Sequence, residues 1–144
     1  MKSGFVLILA AFLAGMAGAH EYDLDKLTIG HPWAGVTRGG LKTAAVYVTF
    51  INEGPKSDKL LKVSSPIAAS AMIHANIKDG TVTRMRGMDG VEIPAGETVK
   101  MEPGGIHIML EGIDHPLKDG EMFPLTLTLA NEGDVKVEVM VSDN

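Results

Sequence analysis

From residue 21 onward, apolar and polar side chains alternate with a period of two in one short segment after another, and no stretch sustains the 3.6-residue period of a helix. Leu125, Leu127 and Leu129 alternate with Thr126, Thr128 and Ala130. Val135, Val137, Val139 and Val141 alternate with Lys136, Glu138 and Met140. One apolar face per segment is what an antiparallel sheet needs when one side meets a core and the other meets water. The pattern predicts strands over residues 27–29, 44–52, 59–63, 71–78, 81–86, 98–102, 106–110, 125–130 and 135–141. Gly39-Gly40, Glu53-Gly54-Pro55, Asp89-Gly90, Pro94-Ala95-Gly96, Asp119-Gly120 and Asn131-Glu132-Gly133-Asp134 supply turns between them. About nine short strands punctuated in this way predict an all-β fold, an antiparallel β-sandwich of immunoglobulin-like type.

Two places in this pattern carry chemistry. Residues 71–78 and 81–86 flank Asp79-Gly80, a strong signal for a two-residue hairpin turn. With that turn Lys78 faces Thr81 and, counting back along both strands, His74 faces Met85. Directly opposed side chains have Cβ atoms roughly 4.5 to 5.5 Å apart, close enough for both to reach one ion. Further on, Ile106-His107-Ile108-Met109-Leu110 alternates strictly. Ile106, Ile108 and Leu110 point to a core, so His107 and Met109 share the outward or rim face. Pro103-Gly104-Gly105 sets this pair beside a turn, near an end of the sheet.

His74, Met85, His107 and Met109 therefore read as one metal site with the spacing His-x10-Met-x21-His-x-Met. Thioether and imidazole are neutral donors that suit Cu(I), whereas zinc takes thiolate, imidazole or carboxylate and calcium and magnesium take oxygen. Taken singly, each methionine is better explained as a flexible core filler and each histidine as an ordinary strand residue. The joint spacing on two strand faces outweighs those separate explanations. His20 could offer an amine and a ring nitrogen to Cu(II) if it begins the processed chain. His31, His115, Met72, Met88, Met101, Met122 and Met140 are expected in loops or packing, with Met88 and Met101 as accessory soft contacts. Trp33, the only tryptophan, is expected to anchor the core or its rim.

Length and composition narrow the function. The 144 residues suffice for one core. Lys2, the apolar run from Phe5 to Leu13 and Ala17-Gly18-Ala19 make residues 1–19 a secretory signal cleaved after Ala19, leaving 20–144 as a single domain. That run is too short to span a bilayer comfortably, so no stable membrane insertion is expected and the periplasm is the destination. Cysteine is absent, which removes disulfides and thiolate ligands and disfavours blue-copper electron transfer. Loss of Lys2 takes the net charge from −5 to −6, which argues against nucleic acid as a partner. Neither a Gly-x-Ser-x-Gly elbow nor a His-Glu-x-x-His pair is present, so no enzyme is expected. The competing reading is a β-sandwich interaction module without metal.

Across nearly the whole processed chain the sequence resembles the periplasmic copper chaperones called PCuAC. The resemblance rests on His74, Met85, His107 and Met109 at the family's ligand spacing, with Gly30-His31-Pro32-Trp33-Ala34, Ile93-Pro94-Ala95-Gly96 and Pro103-Gly104-Gly105 in support. It implies a cupredoxin-like sandwich that carries Cu(I) to the copper centres of cytochrome c oxidase, either directly to the copper-site subunit or through another copper chaperone. The chain ends at Val141-Ser142-Asp143-Asn144, without the Met- and His-rich tail that adds Cu(II) binding in some members.

Overall fold

The structure, a computed structural model, describes residues 21–24 and 26–143. The expected signal at 1–19, its cleavage site and His20 lie outside the described residues. Eleven strands and no helix make up the described chain. They are β1 (Glu21–Leu24), β2 (Leu27–Gly35), β3 (Thr43–Asn52), β4 (Asp58–Ser64), β5 (Ala68–Asp79) and β6 (Val82–Met88). The remainder are β7 (Val91–Ile93), β8 (Thr98–Lys100), β9 (Ile106–Ile113), β10 (Met122–Leu129) and β11 (Gly133–Ser142).

The strands lie in the order β6-β5-β9-β3-β2-β11-β10-β4-β7, with β1 added to β2 and β8 to β3. Alternation buries one face of each central strand. Phe50, Ile29, Ile108 and Leu110 from one end of this order and Phe123, Leu125, Leu127 and Leu60 from the other enter one common core. A sheet that buries one face through its central strands has to curl over itself, and here it makes a β-sandwich, from which the β5–β6 hairpin extends exposed.

Two details depart from the alternation. The sheet is mixed, because β11 runs parallel to β2 through Met140 opposite Trp33, Val141 opposite Ala34 and Ser142 opposite Gly35. This pairing exists because β2 continues past Ile29. His31 takes a positive φ of 46° and the register with β3 shifts between Gly30 and Trp33, a bulge that carries the strand over Pro32, which has no N–H to give. The strands β1 and β7, of four and three residues, are too short for a periodic signal. They are held instead by pairing with β2 and β4, and β1 also by the hydrogen bond that the Glu138 N–H donates to the Tyr22 hydroxyl at 2.8 Å.

Candidate metal centre

The outward face of β6, β5 and β9 collects the soft donors. β5 and β9 are antiparallel neighbours whose register puts His74 directly opposite His107 and Met72 directly opposite Met109. Ile73, Ile108 and Leu110 occupy the inner face and bury completely or nearly so, which fixes the alternate residues outward. The two imidazoles meet edge to face, ring centroids 5.8 Å apart and planes at 87°. His107 is only 6% exposed despite its place on this face.

Hydrogen bonding assigns the ring nitrogens. Nδ1 of His107 lies 3.1 Å from the Gly105 carbonyl oxygen. A carbonyl only accepts, so Nδ1 carries the proton and Nε2 keeps its lone pair for another partner. Nδ1 of His74 is buried with no hydrogen-bond partner among the described residues. An unmet buried nitrogen costs about 1 to 3 kcal/mol, and such an atom beside a second imidazole suits an electron-pair acceptor.

The hairpin differs from the register the turn signal suggested. Asp79 pairs with Val82, so the two-residue loop is Gly80-Thr81, and His74 faces Gly87 while Met85 faces Asn76. Gly80 has a φ of +63°, and Asp79 and Thr81 are absent from the positive-φ residues, which is the pattern of a type II′ turn. An Asp79-Gly80 type I′ loop would have required Asp79 to take a positive φ. The correction slides β6 by two residues and preserves parity, so Met85 stays on the face of His74 as its diagonal neighbour. Met85 is 60% exposed.

Several residues stand apart from this face. Met88 pairs with Ile73 and packs on the core, and Met101 is fully buried within it, so neither is a soft contact of the His pair. Met122 and Met140 oppose each other on β10 and β11, both partly exposed. Trp33 is half-buried and its ring lies 4.6 Å from that of Tyr47, whose hydroxyl pKa burial pushes up. His31 approaches Glu21 at 3.8 Å. His115, in the loop after β9, is held through Nδ1 by Asp114 and through Nε2 by Glu121, bonds that raise its pKa. Met72, expected in a loop or in packing, stands instead on this face, 43% exposed on β5 and outside the core. Its signal was its place two residues before His74, which an antiparallel partner strand turns into the mirror of Met109 two residues after His107.

Comparison with known proteins agrees with this architecture. The model of the family described as "Putative lipoprotein LpqE-like" matches residues 27–141. "Putative lipoprotein Lxx21020" of Leifsonia xyli subsp. xyli (strain CTCB07) is 28% identical over 94% of this chain and 87% of its own length. Among solved structures, the apo PCuAC domain from PmoF1 superposes with a TM-score of 0.74 at 29% identity, covering 87% of this chain and 100% of that domain. The copper-bound PCuAC domain from PmoF2 gives 0.72 at 27% identity, over 87% and 99%. The Cu(I) form of DR1885 from Deinococcus radiodurans gives 0.66 at 27% identity, over 91% and 86%. With the family model matched across residues 27–141 and the fold superposing on solved PCuAC domains, the chain belongs to the LpqE-like family and has the β-sandwich of the PCuAC type.

Proposed function

We propose that this protein is a periplasmic metallochaperone that carries Cu(I) as cargo on His74, Met85, His107 and Met109. The observation that carries the reading is the edge-to-face imidazole pair with its partnerless buried nitrogen, set on a face whose nearby side chains are thioethers. Two solved structures of this fold are copper-bound, one of them as Cu(I). Two neutral nitrogens and two thioethers favour the monovalent ion and grip it less strongly than paired thiolates would. An acceptor with reduced cysteines can then draw the ion away by stepwise ligand exchange, and the copper subunit of cytochrome c oxidase, or a second chaperone serving it, has that chemistry. Export to the periplasm is supported by the character of residues 1–19 and by the lipoprotein designation shared by the family and the Leifsonia relative. No catalytic step is assigned, because holding and releasing an ion needs none.

Anaerobic titration with Cu(I) against a chromogenic competitor tests the reading. One equivalent binds, and His107→Ala and Met109→Leu each weaken binding at least about tenfold, the loss of roughly 1.4 kcal/mol of ligation. Unchanged affinity in both variants, or no binding by the wild type, would leave an interaction module in place of a carrier.

A further inference from the structure

Resting on the Cu(I) site proposed above, we infer that Met72 is a further thioether donor to the same ion and that Met72 and Met85 exchange at one coordination position. The argument starts from the register. On the outward face, β9 contributes His107 and Met109, and β5 contributes His74 and Met72 directly opposite them, so these four side chains form a block of two adjacent rows. Met85 stands outside that block, opposite Asn76 and on the far side of β5 from His107.

Strand geometry ranks the two methionines. Met72 is diagonal to His107, a relation of roughly 7 to 8 Å, and directly across from Met109 at about 5 Å. Met85 has the same diagonal relation to His74, but two interstrand steps and a two-residue offset put its backbone roughly 12 Å from that of His107. Met72 is therefore at least as well placed as Met85 to reach an ion between the imidazoles. Its side chain is also free to do so. Met72 is 43% exposed and belongs neither to the core nor to the partly buried residues packed on it. It borders an open recess of about 550 Å³ shared with Leu61, Gly87 and Asp89. Unbranched and flexible, a methionine there can swing its sulfur toward the His pair at little cost in packing.

Two imidazoles and three sulfurs outnumber the roughly four positions that a tetrahedral monovalent ion fills. The surplus sulfur has a use in transfer. When one thioether leaves, the other takes its position, so the ion keeps its coordination number while an incoming ligand displaces the outgoing one.

The test is NMR of the protein carrying 13C-methyl methionine, titrated anaerobically with Cu(I) supplied as its acetonitrile complex and assigned with Met→Leu variants. The methyl signals of Met72, Met85 and Met109 shift together up to one equivalent, while that of buried Met101 stays. A stationary Met72 signal beside moving Met85 and Met109 signals overturns this inference and leaves the four-ligand site intact. If none of the three moves, the site itself falls and the inference with it. Affinity gives an independent reading. Met72→Leu and Met85→Leu each weaken Cu(I) binding by only about twofold, and the double variant weakens it by about tenfold or more, because exchangeable donors are not additive. A double variant equal to the product of the singles rules out exchange.

Discussion

Replacing His74 by Phe separates what the site does for copper from what it does for the fold. In the metal-free protein Nδ1 of His74 is buried without a partner, whereas Phe puts carbon at that position and retains an edge-to-face contact with His107. Removing an unmet buried polar atom is worth about 1 to 3 kcal/mol. The low end applies because the His74 ring is only half-buried, so the variant should gain about 1 kcal/mol, or about 3 to 5 °C in Tm for a domain of this size. Copper reverses the order. At free Cu(I) one hundred times its Kd the wild type gains about 2.7 kcal/mol, and a variant that binds a hundredfold more weakly gains only about 0.4. The loaded wild type then exceeds the variant by about 1 kcal/mol. Urea unfolding of chelator-treated and Cu(I)-loaded samples measures both differences. A metal-free variant less stable than wild type, still stabilised by copper as strongly, would show that this nitrogen is neither strained in the apo fold nor a ligand.

Three further outcomes follow from other parts of the molecule. Gly112 holds a φ of +64° in β9, and a Cβ there would stand 2.8 Å from that of Ala69 on β5, so Gly112→Ala should cost about 1 to 3 kcal/mol in unfolding by denaturant. Met101→Ala should cost about 2 to 5 kcal/mol by the same assay and leave copper stoichiometry unchanged, since Met101 is buried in the core away from the donor face. His115 titrates above its ordinary value because Asp114 and then Glu121 bond its charged ring, so its stabilisation is complete below pH 6.5 and is lost as pH rises through the raised value. Glu121 titrates low because the Lys118 N–H and then His115 bond its carboxylate, so its stabilisation is complete above pH 4.5 and is lost as pH falls through the lowered value. His115→Gln should therefore flatten the fall of Tm on the alkaline side, and an unchanged alkaline slope would contradict the assignment.

Much of this architecture was legible because strand alternation reports burial directly. Leu125, Leu127 and Leu129, and likewise Val135, Val137, Val139 and Val141, point inward as their period requires. Ile108 and Leu110 face the core and leave His107 and Met109 outward for the same reason. What alternation does not encode is which strands become neighbours. The approach of β5 to β9, which creates the His74–His107 pair, joins segments more than thirty residues apart, and no local pattern specifies it. Register along the hairpin was open for a different reason. Sliding β6 by two residues leaves every side chain on its own face, so the hydrophobic pattern cannot distinguish the two pairings, and the choice falls to which residue of Asp79-Gly80-Thr81 can take a positive φ. The bulge at His31 and the parallel junction of β2 with β11 were hidden by Pro32, which interrupts the pattern of a strand that the structure continues.

The donors also differ in how far they can move, and that difference orders the release of the proposed cargo. His107 is 6% exposed on β9, a strand paired on one side by β5 and on the other by β3, so the backbone that carries its ring is held between two ladders. Among the described residues β6, which carries Met85, is an edge strand paired with β5 alone, and the Met85 side chain is largely in solvent. An acceptor approaching from solvent thus meets sulfur before nitrogen, and the first ligand exchanged is a thioether whose departure leaves the fold untouched. Hydrogen exchange should follow the same gradient, with amides of β6 opening at free energies well below those of β9. Copper loading should slow exchange most along β6, where Met85 ties a freely opening edge to the rigid His pair. Equal slowing across β6 and β9 would mean that the ion stabilises the whole sandwich and that release has to wait for global opening.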